Sequence, residues 1–201
     1  LSKQIKENTL AGDLIIKGEG DPTLSIENLK DIFYRLKARG INQITGNIFL
    51  DDSYFKFQPD PEYIDDLSYR AYNVQPKSLL IEAGAIEIQF LNQDNNVSLY
   101  NKPFIEGIEV VNNLKITKQA CEDWKSKIHP EVIFTDESIQ VSLNGSFSKN
   151  CKNKSLYLNA LDQDEYMKVA ISNILNEVGI EFAGEIQKQG FADEELNSFV
   201  L

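Results

Sequence analysis

Gly12-Asp13-Leu14, Gly20-Asp21-Pro22-Thr23-Leu24, Gly40-Ile41 and Gly46-Asn47-Ile48, the last running into Asp51-Asp52-Ser53-Tyr54-Phe55, punctuate the first sixty residues and decide the fold. Leu10 to Lys17 reads as a strand, with Leu14, Ile15 and Ile16 as a short apolar run bounded by glycines. Gly18, Gly20 and Pro22 end it, and Pro22 keeps Asp21 out of helical conformation. Ser25 is then placed as an N-cap, with Glu27 favourable to the helix dipole in the first turn. Leu29, Ile32, Phe33 and Leu36 follow at helical spacing, and Gly40 stands where a left-handed C-cap belongs. Asn47 to Leu50 resumes as a strand. Strand, crossover helix and strand of this length make a βαβ unit with parallel strands.

The same grammar returns near the C-terminus. Met167, Ala170, Ile171, Ile174, Leu175 and Val178 form a second helical stripe closed by Gly179. Gly179-Ile180 leads to Gly184-Glu185-Ile186, just as Gly40-Ile41 leads to Gly46-Asn47-Ile48. Such αβ-loop chemistry is common, yet it assigns both segments to one α/β layer. Between them the texture changes. Ala85 to Phe90, Val97 to Leu99, Ile108 to Val111, Leu114 to Ile116, and Ile139, Val141 and Leu143 are short alternating runs separated by Asn and Gln clusters. They predict a small antiparallel β-subdomain. The expected fold class is α/β (α+β): a βαβ-containing domain of residues 1–84 plus 152–201, with a β-rich subdomain of 85–151 nested in it. Pro59 to Pro76 reads as a long, acidic, aromatic loop.

Composition narrows the function classes. A length of 201 residues with 42% apolar side chains suffices for one large domain or two small ones. The net charge of −11 argues against a nucleic-acid partner, because no basic stripe balances the acids. No apolar run approaches the roughly 18 residues of a membrane span. Leu1 in place of an initiator Met is expected of a processed or excised chain. Two cysteines and one histidine, His129, are too few for a structural zinc site. Cys121 and Cys151 are left as either one disulfide or two buried thiols.

Candidate chemistry is sparse. Ser142-Leu143-Asn144 and Ser146-Phe147-Ser148-Lys149 match two of the three catalytic patterns of penicillin-binding serine peptidases, Ser-x-Asn and Ser-x-x-Lys. Both fall within eight residues on an expected strand and polar loop, whereas the Ser-x-x-Lys nucleophile needs a helix face and a partner from elsewhere. The third pattern, Lys-Thr-Gly, does not occur. These are read as chance matches, so no catalytic residue is assigned. His129 precedes Pro130 in an expected polar connection and reads as a surface histidine. Asp51, Asp52, Asp60, Asp65 and Asp66 lack the ligand spacing of a calcium loop, and neither metal nor cofactor is expected. A carboxylate beside an aromatic ring, Asp65 or Asp66 with Tyr69 or Tyr72, is suited to a ligand ammonium group.

Taken together, these glycine-centred motifs resemble the region between the catalytic motifs of class C, low-molecular-mass penicillin-binding proteins of the D-alanyl-D-alanine carboxypeptidase/endopeptidase type. Tyr72 to Pro76, Ser78-Leu79, Leu143-Asn144-Gly145 and Asp164-Glu165-Tyr166 extend the resemblance over nearly the whole chain. It implies two accessory domains, the β-rich one nested in the α/β one, inserted in an exported peptidase that acts on peptidoglycan stem peptides through an acyl-serine. The expected role is substrate recognition without catalysis; a stand-alone peptidoglycan- or protein-binding module is the alternative. The resemblance also implies an amine subsite built from an Asp and an aromatic residue. Tyr72 matches the aromatic; the family Asp falls on Leu67, one residue from Asp66, and the family Ala-Pro falls on Val74-Gln75. Paired cysteines in some relatives imply the bridge Cys121–Cys151, and with it a periplasmic or extracytoplasmic setting.

Overall fold

The structure, a computed structural model, describes residues 5–56, 66–93, 96–134, 138–159 and 162–192. Along the chain run β1 (Ile5–Lys6), β2 (Thr9–Leu10), β3 (Leu14–Lys17), α1 (Ile26–Ala38), β4 (Gln43–Ile44) and β5 (Ile48–Asp51). Then come β6 (Ala85–Gln93), β7 (Asn96–Lys102), β8 (Ile108–Thr117), β9 (Ile128–Phe134), β10 (Ile139–Ser148) and β11 (Lys154–Asn159). Last are α2 (Gln163–Val178), β12 (Glu181–Phe182) and β13 (Ile186–Lys188). The fold is mixed α/β. It divides into two compact units, Leu1–Glu62 with Gln75–Ala83 and Ala170–Leu201, and Tyr63–Val74 with Gly84–Val169. Residues 152–169 and 66–74 thus sit in the β-rich unit, because β11 pairs antiparallel with β6 and Arg70 bridges to Leu158.

The first unit is built from one bent strand used three times. β2 and β3, β4 and β5, and β12 and β13 are each a two-residue strand, three residues, and a longer strand. All three are parallel and in register: Leu10 beside Ile44 beside Phe182, Leu14 beside Ile48 beside Ile186. The expected Leu10 to Lys17 strand is therefore two strands with a corner at Gly12-Asp13. At each corner a side chain replaces the interrupted ladder. Asp13 Oδ1 accepts the Asn47 N–H at 2.7 Å, and Asn47 Oδ1 accepts the Glu185 N–H at 3.0 Å. The neighbouring strands approach so closely that a Cβ on Gly46 would collide with the Gly12 carbonyl, and one on Gly184 with that of Gly46.

Helix α1 starts at Ser25, whose hydroxyl accepts the Asn28 N–H while the Asn28 side chain accepts the Ser25 N–H, a reciprocal cap. Glu82 adds its carboxylate to the Ile26 N–H at 2.9 Å. Leu29, Phe33 and Leu36 are buried on one face, and Gly40 takes the left-handed conformation (φ 92°) that ends the helix. From α2, Ala170, Ile171, Ile174, Leu175 and Val178 are buried in the same unit. The two helices are clasped by Lys30–Glu177 at 2.5 Å and by Lys37, whose ammonium donates to the last carbonyls of α2, Val178 and Gly179.

In the second unit, β11-β6-β7 form an antiparallel sheet and β8-β10-β9 a second sheet. Ile86, Ile88 and Phe90 face inward from β6, and Ile139, Val141, Leu143 and Phe147 from β10. Phe90 and Phe147 stack at 5.1 Å, with Trp124 edge-on to both at 5.3 and 5.9 Å. β10 runs antiparallel to β9 but parallel to β8, a direction that alternation of side chains does not encode. The segment holding His129-Pro130 is a strand, not the expected polar connection. β9 lies at the sheet edge, where proline is tolerated because its missing N–H faces outward.

Candidate functional site

Around Tyr72 the chain forms a short pinned turn. Residues Ala71–Asn73 make one 3-10 turn, tied to the loop before it by Arg70 N–H to Leu67 O and by the Asn73 side-chain amide to the same carbonyl, at 2.9 and 3.0 Å. From β11, Asn159 grips the turn twice more. Its side-chain amide donates to Ser68 O at 3.0 Å and Asn73 O at 3.2 Å, while its backbone N–H donates to Tyr69 O at 2.8 Å. Asn73 and Asn159 are both buried. The Arg70 guanidinium lies 5.3 Å from the Tyr69 ring centroid and donates to the Lys125 carbonyl.

The result is a rigid loop that holds a ring outward: Tyr72 is 54% exposed. Asp66 is also exposed, five residues before the first residue of the turn. Asp65 lies outside the described residues. The buried anchors, Asn73 and Asn159, were not singled out from the sequence. Asn73 falls inside the Tyr72 to Pro76 motif, but nothing local marks Asn159, whose partners lie 86 and 91 positions away.

The literal matches to catalytic patterns take no catalytic geometry. Ser142, Asn144, Ser146 and Ser148 all belong to β10, with Lys149 one residue beyond its end. Successive side chains of a strand alternate between faces, so Ser146 and a residue three positions on do not share one, as a helical Ser-x-x-Lys would. Ser148 is buried and donates to the Gln119 carbonyl. Cys121 and Cys151 form a disulfide, with their Cα atoms 5.0 Å apart.

Asp51-Asp52-Ser53 is a clasp. Asp51 is fully buried and accepts the N–H groups of Ser53 at 2.9 Å and Phe191 at 3.2 Å. Burial pushes its carboxyl up, but the hydrogen bonds from Ser53 and Phe191 and the charge of Lys17 outweigh that and hold it below the ordinary 3.8. Asp52 pairs with Lys188 at 2.7 Å. Among the described residues no cluster of His, Cys, Asp and Glu has the arrangement of a metal site; Asp60 and Asp65 lie outside them. Gly20-Asp21-Pro22-Thr23 is likewise structural, an exposed turn in which the Asp21 carboxylate accepts both the backbone and hydroxyl of Thr23. No helix among the described residues is long and apolar enough to cross a membrane.

Comparison with known proteins bears on what this arrangement serves. The model of the D-Ala-D-Ala carboxypeptidase 3 (S13) family matches residues 1–197. A D-alanyl-D-alanine carboxypeptidase of Actinomadura sp. (strain R39) is 34% identical over 74 residues, 36% of this chain and 14% of that protein. The D-alanyl-D-alanine carboxypeptidase DacB of Haemophilus influenzae is 24% identical over 186 residues, 91% of this chain but 38% of that protein. The crystal structure of penicillin binding protein 4 (dacB) from Haemophilus influenzae shares the fold, with a TM-score of 0.68 at 21% identity over 93% of this chain and 41% of that one. The chain therefore spans well under half the length of the relatives it matches.

Proposed function

The chain belongs to the D-Ala-D-Ala carboxypeptidase 3 (S13) family, and from that premise we propose that it is the accessory, non-catalytic region of an exported serine peptidase acting on peptidoglycan stem peptides. In this reading Asp66 and Tyr72 meet the free amino group of the stem peptide's diamino acid side chain. An ammonium group is attracted by a carboxylate and by the face of a tyrosine ring, and both together favour it over the neutral acetylated form. Cleavage itself belongs to catalytic motifs outside this chain. The disulfide agrees with an oxidising, extracytoplasmic compartment.

The observation that carries the reading is the pinned turn. Exposed loop tyrosines ordinarily cost entropy when a ligand fixes them. Here Asn73 and Asn159 already hold the backbone on either side of Tyr72, so that cost is reduced before binding. Two measurements test the proposal. The chain alone, incubated with a fluorescent penicillin, is expected to carry no covalent label; acylation at Ser146 would overturn the non-catalytic role. In the complete peptidase, Asp66→Asn with Tyr72→Ala is expected to lower kcat/KM on a free-amine stem peptide by about threefold to tenfold, the range of an exposed ion pair plus a cation–π contact. The same pair should leave the N-acetylated peptide and the rate of penicillin acylation unchanged. Equal losses on free and acetylated peptides would show that the turn does not read the amine.

A further inference from the structure

The outer face of the β8-β10-β9 sheet carries a groove of about 610 Å³ that the reading above does not use. Among the described residues its lining includes Asn113, Lys115, Ser126, Lys127, His129 and Asn144 and holds no carboxylate, in a chain whose net charge is −11. The register explains the grouping. Asn113, Asn144 and His129 lie side by side across the three strands, and Lys115 lies beside Ser146 one step of the same face further on. Among the described residues neither Lys115 nor Lys127 makes an ion pair; the Lys127 ammonium reaches only the Gln119 amide oxygen, at 3.4 Å. Asn113 donates to Asn144 Oδ1 at 3.1 Å, so what Asn144 presents to the groove is its own amide N–H pair.

The groove is built rather than incidental. Lys127 and Ser126 come from the 3-10 turn Trp124–Lys127, fixed below by Trp124 against Phe90 and Phe147 and, just before it in sequence, by the Cys121–Cys151 bridge. This turn approaches β10 at Gly145, whose φ of 107° and missing side chain admit the Lys127 carbonyl; a Cβ there would strike it. Asp123, which accepts from the Ser126 hydroxyl, and Glu131, two residues along β9 from His129, both stand outside the lining.

Two ammonium groups that form no ion pair among the described residues, beside a primary amide offering its donors, complement an oxyanion, while the Ser126 hydroxyl spends its proton on Asp123. We propose that this groove is a second binding site, for a carboxylate or phosphate group carried by a polar ligand. It shares no residue with the Tyr72 turn, so it stands or falls independently of the amine subsite.

The test is a titration of the isotopically labelled chain, read by backbone amide shifts, with N-acetylmuramic acid, glycerol phosphate and neutral N-acetylglucosamine. Saturable shifts at Lys115, Lys127, Asn144 and Gly145 are expected with at least one of the two anions and not with the neutral sugar; which anion binds better identifies the source of the oxyanion. Lys115→Gln with Lys127→Gln is expected to weaken binding about fivefold or more while leaving the remaining amide spectrum in place. The proposal is overturned if neither anion moves these amides, if the neutral sugar moves them equally, or if the double variant binds as the parent chain does.

Discussion

Asp51 shows how a residue that reads as chemistry serves the fold. Its carboxylate is buried at the end of β5, where it receives the N–H groups of Ser53 and Phe191. A folded-state pKa below the unfolded value contributes stability that is complete above the unfolded pKa and is lost as pH falls through the folded one. For Asp51 the window opens near the ordinary 3.8 and extends downward. In urea unfolding at pH 7, 5 and 3, Asp51→Asn is expected to be less stable than the parent at pH 7 and 5, with the gap narrowing at pH 3. A gap constant across the three pH values would show that the carboxylate's charge is not what the clasp uses. The pair Asp51-Asp52 was legible as a strand end, but its true partners were not, since Phe191 lies 140 residues away. Tyr72 is named in the sequence reading because the resemblance places the family's aromatic there, whereas Asn159, which holds its turn, appears in sequence only as a polar residue.

Among the secondary elements, α1 and α2 were legible nearly to the residue, because capping and burial of an amphipathic stripe are local, periodic signals: Ser25, Gly40 and Gly179 stand at the ends they mark. Of the bent strand only the longer halves β5 and β13 were legible; β4 and β12 fall in what reads as a short loop after each helix, and Gly12-Asp13 in what reads as the interior of a continuous strand. What was missing is the corner itself, a contact between parallel copies rather than a property of one. β9 was missed for a different reason: Pro130 is a breaker signal in any strand but an edge strand, and edges are defined only once the sheet is assembled. The clasp between the helices gives a prediction at this scale. Lys37 places a cation on the carbonyls that end α2, where the helix dipole is negative. Lys37→Met keeps most of the apolar stem and removes the charge, and is expected to lower stability by about 0.5–1 kcal/mol in urea unfolding at low salt. Added salt should shrink the difference. A salt-independent loss would assign the effect to packing instead.

The whole molecule carries two buried cores in two units, and a single tryptophan, Trp124, belongs to the second, against Phe90 and Phe147. The change of texture along the chain carries the expectation of a nested β-rich subdomain, whereas the pairing of β11 with β6 spans more than sixty residues and no local pattern reports it. The disulfide separates the units experimentally. It closes 30 residues within the second unit, and a loop of that length stabilises by roughly 3.5 kcal/mol on the chain-entropy model. Cys121→Ser with Cys151→Ser is therefore expected to lower the urea midpoint seen by tryptophan fluorescence. The helical circular-dichroism signal reports both units, since α1 lies in the first and α2 runs through both. If each unit unfolds on its own core, that signal should split into two transitions in the variant, the later one at the parent's midpoint. A single transition displaced equally for both probes would mean that the units unfold as one cooperative body, and that the bridge stabilises the chain as a whole.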